Sequence, residues 1–211
     1  MPKVSEEHLE ARKQQIVAAA FQCFARKGFH PTTMHDICAE AELSAGAVYR
    51  YFPSKESIIA NACAVSQDTS DQDLLAQAIE IPDTRRMLYG LAEAFFTRLD
   101  GADATTQNRA ILQLWAEAAV NDDVRGAFKN SEAGIADGMR AIVVEAQRRG
   151  DFNATLEPDS IVRAMFALYD GFRLQKAIAP DMPTPPYASV VTALLTGSFW
   201  TGVTAQPAGD H

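Results

Sequence analysis

Between residues 9 and 25, apolar side chains return at Ile16, Ala20 and Phe24, with Val17 and Phe21 alongside, which places them on one face of a helix. Arg26 and Lys27 suit the negative end of that helix, and Gly28 stops it. Thr33 reads as an N-cap and Asp36 as its capping-box acid, opening a short helix to about residue 41. Ser44 caps a third helix through residue 51, and Ser54, after Pro53, caps a fourth over about 54–81. The same signals predict helices over about 82–99, 108–120, 122–149, 158–178 and 187–202. Residues 101–106 read as a loop, Pro180, Pro183, Pro185 and Pro186 as a rigid connection, and 206–211 as a frayed tail. No run alternates apolar and polar residues, and no repeat shows. The expected fold is all-α with about nine helices.

The 211 residues contain no apolar stretch near the roughly 20 residues that span a bilayer. The first residues lack the apolar centre of a secretory signal. The expectation is a cytoplasmic protein with no membrane partner. Cys23, Cys38 and Cys63 are too few and too scattered for a disulfide framework or a zinc site, and each reads as a small buried hydrophobe. The net charge of -8 argues against nucleic acid until its distribution is read. In residues 1–60, Lys3, Arg12, Lys13, Arg26, Lys27, Arg50 and Lys55 balance Glu6, Glu7, Glu10, Asp36, Glu40, Glu42 and Glu56. The whole excess of acid therefore lies in residues 61–211. A neutral N-terminal segment is compatible with DNA binding without indicating it.

The sequence over residues 32–58 does indicate it. Two short helices flank a turn of about four residues, and Ile37, Ala41, Leu43, Val48 and Phe52 are spaced to pack them together. Ala41 and Gly46 are small where the helices must cross. The helix after Ser44 is too short to stand alone, so its neighbours must hold it out. Ser44 can present backbone N–H groups to a phosphate. Tyr49 and Tyr51 bring hydroxyls, Arg50 brings a fork that suits guanine, and Lys55 begins the next helix beside the flanking backbone.

Thr33, Ile37, Ala41, Ser44, Gly46, Tyr49, Tyr51-Phe52 and Ser54-Lys55-Glu56 resemble the helix-turn-helix of the TetR/AcrR family, with Ala19, Phe24, Gly28 and Phe29 preceding them in the family's order. The resemblance covers about residues 10–60; beyond that only length and helical content match. Two residues depart from it: Glu42 stands where the family usually has glycine, and Cys38 where it has alanine. A positive φ at Glu42 would cost on the order of 1 kcal/mol. The resemblance implies phosphate contacts from Thr33, Tyr49, Tyr51 and Lys55. It implies base contacts from His35 and Arg50, and close approach to the groove by Ala45, Gly46 and Ala47. It divides the chain into a DNA-binding domain (1–56) and an effector-binding and dimerisation domain (57–211). The implied function is a repressor released from a palindromic operator by a small hydrophobic or amphipathic ligand.

The larger segment supplies its own support for dimerisation. The helices over about 160–179 and 187–202 are apolar on more than one face, notably at Val190, Val191, Ala193, Leu194, Leu195, Phe199 and Trp200. Paired across a two-fold axis they form a four-helix interface. The fourth helix is the expected lever between sensing and DNA binding. A ligand pocket is expected among Met87, Phe95, Phe96, Trp115, Met139, Phe166, Tyr169 and Phe172. Gln113, Glu117, Asp170 and Arg173 are its polar candidates, although Asp170 and Arg173 can simply pair with one another. No catalytic, metal or cofactor motif is present in the sequence. Two alternatives stay open: a DNA-binding regulator with no small effector, and one controlled by cysteine oxidation.

Overall fold

In the computed structural model, residues 6–65, 69–101 and 104–199 are described. They form ten α-helices and one 3-10 turn, with no strand among the described residues. The N-terminal helices are α1 (Glu6–Lys27), α2 (Met34–Glu40) and α3 (Ala45–Tyr51). There follow α4 (Lys55–Val65), α5 (Thr69–Ile79), α6 (Thr84–Thr97), the 3-10 turn Arg98–Asp100 and α7 (Ala104–Ala118). The last three are α8 (Asp122–Arg149), α9 (Pro158–Ile178) and α10 (Thr184–Leu195).

The caps explain most of these boundaries. Thr33 accepts from the Asp36 amide while Asp36 accepts from the Thr33 amide, so two open donors of the helix start are satisfied reciprocally. Ser44 accepts from Ala47 N, and Glu157 accepts from Asp159 and Ser160. Three expectations move. The helix expected over 54–81 is described as α4 and α5, with 66–68 outside the described residues. α7 begins at Ala104, inside the expected 101–106 loop, because Ala104 is buried and its amide reaches the Gly101 carbonyl at 2.9 Å. α10 begins at Thr184, not 187, because Pro185 and Pro186 fall in its first turn, where a missing N–H costs nothing. It closes at Leu195, and Trp200 and the 206–211 tail lie outside the described residues.

The turn between α2 and α3 carries backbone strain. Glu42 has φ 54°, the only positive φ of a non-glycine residue among the described ones. Its amide donates to Ala39 O, and the Leu43 amide donates to Cys38 O, which is the Schellman pattern of a left-handed helix end.

Three apolar clusters hold the helices together. The first joins Ile16, Phe24, Ile37, Val48 and Phe52 of the N-terminal helices to Ile58 and Ile59 of α4, Ala110 and Leu114 of α7 and Val124 of α8. The N-terminal helices thus share their core with the helices that follow, across the expected 56/57 boundary. Cys23 and Cys38 are buried in this cluster as small apolar groups, and burial pushes the Cys23 thiol up, away from the reactive thiolate. A second cluster unites α5, α6, α8 and α9 around Leu75, Ile142 and Val143. The third packs α6, α9 and α10, with Phe172 stacked on Tyr187 at 4.1 Å between ring centres.

A half-buried and a buried cation secure two connections. Arg149 donates to the carbonyls of Ile79, Ile81 and Pro82, tying the α5–α6 turn to α8. Lys176 donates to Pro180 O and Met182 O and pairs with Asp100 at 2.6 Å, fixing the proline connection to the 3-10 turn. No helix among the described residues is long and apolar enough to cross a membrane.

Candidate DNA-reading helix and ligand cavity

α3 buries only Val48 against its neighbours. Ser44, Ala45, Gly46, Tyr49 and Arg50 are exposed, and so are Thr33 and His35 on the adjoining end of α2. Tyr49 is 52% exposed. A Cβ built on Gly46 meets nothing within 4 Å, so space in front of the helix is open. Arg50 has no hydrogen bond or ion pair among the described residues, Glu42 included. Ala47 and Tyr51 are half-buried, and Tyr51 packs against the first cluster.

Lys55 is the residue whose surroundings differ most from expectation. Its Nζ donates to Phe29 O at 2.8 Å and His30 O at 3.3 Å, and it lies 4.3 Å from the centre of the Phe29 ring. Two of its three N–H groups thus cap the end of the α1–α2 loop, leaving one for an outside acceptor.

Two acids of α2 beside this face are already paired. Arg26 reaches Glu40 at 2.7 Å and Lys27 reaches Asp36 at 2.5 Å. Lys27, and then the Thr33 amide and hydroxyl, hold the Asp36 carboxyl well below the usual range. Two of the acids that neutralise the segment by count are therefore occupied by α1, and Arg50 faces solvent unpaired.

A second feature lies further along the chain. A cavity of about 470 Å³ opens where the three clusters meet. Its wall includes Phe95, Phe96, Met139, Phe166, Tyr169, Asp170 and Arg173, all expected as pocket residues. The other five lie elsewhere. Met87 is core of the second cluster, and Phe172 lies under Tyr187. Gln113 is exposed beside the Gly28 turn. Trp115 stands edge-on to Phe128, behind Arg173. Glu117 accepts from Asn121 at 3.0 Å and lies 3.1 Å from His30 Nε2, without the alignment of a hydrogen bond to that ring.

The wall also contains residues that sequence reading passed over, chiefly Phe21, Asn108, Ile111, Leu114, Phe128 and Glu132. Two of them carried a signal. Asn108 shares a helical stripe with Ile111, Leu114 and Trp115, and Glu132 interrupts the apolar run Phe128, Ile135, Met139 on α8. Phe21 belongs to α1, so the N-terminal helices themselves contribute to the wall.

The polar end of the cavity is unevenly served. Arg173 pairs with Asp170 at 3.6 Å and donates to the Tyr169 hydroxyl at 3.1 Å. Burial raises the Asp170 carboxyl, and Arg173 opposes it. Burial, then Asp170, raises the Glu132 carboxyl, with Arg173 and Arg163 opposing.

Comparison with known proteins identifies the family of these helices. The family described as "Bacterial regulatory proteins, tetR family" matches residues 16–63, and "BetI-type transcriptional repressor, C-terminal" matches residues 73–199. The HTH-type transcriptional regulator TtgR of Pseudomonas putida is 25% identical over 185 residues, covering 86% of this chain and 87% of TtgR. The uncharacterized HTH-type regulator YfiR of Bacillus subtilis is 47% identical over 57 residues, which is 27% of this chain and only 28% of YfiR. A solved transcriptional regulator from Saccharomonospora viridis, in complex with choline, superposes with a TM-score of 0.66 at 23% identity, over 90% of this chain and 95% of that one. An exposed helix-turn-helix with its own family match, and a second match over more than half of the chain, place this protein in the TetR family of DNA-binding transcriptional regulators.

Proposed function

We propose that the protein is a homodimeric repressor that holds a palindromic operator through two copies of α3 and releases it when a small amphipathic molecule fills the cavity. The observation that carries this reading is α3 itself: a short helix held out by its neighbours, with Arg50 unpaired and the space before Gly46 open. Arg50 and His35 read base edges, and Ala45, Gly46 and Ala47 lie against the groove. Thr33, Ser44, Tyr49, Tyr51 and the remaining N–H of Lys55 meet phosphates. Residues 1–56 read DNA and 57–211 sense and dimerise, in the cytoplasm.

Dimerisation rests on the exposed apolar residues of α9 and α10. Ala164, Ala167, Gly171, Leu174 and Ile178 recur along α9 at steps of three and four, and Val190 and Leu194 stand four apart on α10. Ile178 is 76% exposed, with Leu174, Val190 and Leu194 between 42% and 47%. Small residues at one end allow close helix approach, and two copies of α9 and α10 bury the rest as a four-helix bundle.

Coupling rests on shared walls. α7 packs on α1 with one face and lines the cavity with another, and Phe21 of α1 reaches the cavity directly. α4 runs along α8, which also lines it, so α4 remains a lever. A molecule that enlarges or tilts this wall shifts the separation of the two α3 helices, away from the half-site spacing of about 34–36 Å that successive major grooves require. The choline-bound neighbour supports a small ligand in this fold.

The test introduces Leu174→Glu with Ile178→Glu. Sedimentation should change from dimer to monomer, and fluorescence anisotropy should show inverted-repeat affinity falling on the order of 100-fold or more, since one subunit alone grips one half-site. A double variant that keeps both dimer mass and affinity would remove this face from the assembly.

A further inference from the structure

We infer that the molecule this cavity accepts is an organic cation that also carries an acceptor oxygen, with Glu132 as its counter-ion. The inference rests on the ligand-responsive reading above and names the chemistry of that same site.

Three observations converge on it. The first is the wall: Phe95, Phe96, Phe128, Phe166 and Tyr169 surround a space of about 470 Å³, enough for a compact molecule with an apolar body. Aromatic faces attract positive charge as well as apolar surface.

The second is charge. Two carboxylates and one guanidinium stand on the enclosed wall, with Arg98 on its exposed rim. Asp170 is committed to Arg173, and Arg173 lies also over the Tyr169 ring at 4.8 Å. Glu132 has no ion pair and no hydrogen bond among the described residues. Desolvation dominates its environment, and the nearby arginines do not offset it. A carboxylate partly withdrawn from water without a partner carries part of its desolvation cost, and a ligand cation offsets it. An anion would meet two acids and a guanidinium already occupied, with Arg98, itself over the Phe95 ring at 5.2 Å, as the other cation on the wall.

The third is a pair of unanswered donors. Asn108 is 3% exposed, and its Nδ2 has no acceptor; the same holds for the buried Nε of Arg173. Both residues lie on the cavity wall. Buried donors left unpaired are rare, and an oxygen brought by the ligand satisfies them.

Four small molecules separate these features in calorimetry on the full chain. Phenacyltrimethylammonium has an aromatic ring, a carbonyl and a cation. Neopentyl phenyl ketone lacks only the charge, and phenethyltrimethylammonium lacks only the carbonyl. Benzoylpropionate reverses the charge. The expected order places phenacyltrimethylammonium first, with each single deletion weakening binding about tenfold and benzoylpropionate last. Glu132→Gln should bring the cation and the neutral ketone level, while its thermal melting confirms that it folds. The wild-type order alone decides the question if that variant fails to fold. Benzoylpropionate binding tightest, the neutral ketone matching the cation, or none of the four binding overturns the inference. Release of operator DNA by the bound molecule is scored separately. Cation binding without release removes the regulatory reading and keeps the ligand class. Release by benzoylpropionate does the reverse.

Discussion

Glu42→Gly tests whether the left-handed backbone in the turn before the recognition helix is a stored strain. Glu42 sits at φ 54°, one residue past the α2 cap, with its side chain exposed. The conformation costs a non-glycine residue about 1 kcal/mol. Glycine removes that cost but adds unfolded-state freedom worth about 0.4–1 kcal/mol. The net gain for Glu42→Gly is therefore about 0.5 kcal/mol or less. Alanine supplies the sharper comparison. In ordinary helical backbone glycine is worse than alanine by about 0.5–1 kcal/mol. Here that deficit vanishes or inverts, because alanine keeps the strain and glycine sheds it. Urea unfolding of the wild type, Glu42→Gly and Glu42→Ala at one protein concentration reads the three midpoints directly. Glycine should lie level with alanine or up to about 0.5 kcal/mol above it, with alanine level with the wild type. Alanine above glycine by the ordinary margin of about 0.5–1 kcal/mol would refute the strain.

Two glycines of α8 should respond oppositely to alanine. A Cβ on Gly138 falls 2.8 Å from Leu75 Cδ1, a buried contact, so Gly138→Ala should lose about 1 kcal/mol through overpacking. A Cβ on Gly126 meets nothing within 4 Å, so Gly126→Ala should gain up to about 1 kcal/mol; a common sign in denaturant melts would contradict the packing of α5 on α8. Glu145 gives a pH test. Hydrogen bonds from Arg148 and then Arg149 lower its carboxyl from 4.5 to about 2, so its stabilisation is complete above pH 4.5 and is lost as pH falls to about 2. Glu145→Gln should melt below the wild type at neutral pH and converge with it in acid; a pH-independent gap would exclude the ion pairs as the cause.

Helix ends were legible because they depend on neighbours in sequence. Thr33, Ser44, Asp83 and Glu157 each cap where a side-chain oxygen meets an open amide, and Gly28 and Gly150 end α1 and α8 with positive φ. The α3 surface was legible for the same reason, since one short helix fixes which residues turn outward. Lys55 was less so: nothing local shows that its ammonium folds back onto Phe29 and His30. On α7, Gln113 and Glu117 belong to a different face from the one that lines the cavity, which carries Asn108, Ile111 and Leu114. Periodicity finds such stripes but cannot say which neighbour each one meets. The joining of α1–α3 to α7 and α8 in one core is likewise set by tertiary packing, and no local signal in residues 1–56 marks it.

Selection of bound duplexes from a random pool, run in parallel on the wild type and Arg50→Ala, bears most directly on α3 as a paired reader of DNA. The wild type should enrich an inverted repeat whose half-site centres lie about one helical turn apart. Arg50→Ala should keep that symmetry but lose preference at one base pair in each half-site, at a cost of about 1–3 kcal/mol. A pool that stays random, an enriched sequence without symmetry, or a preference unchanged without Arg50 would contradict it.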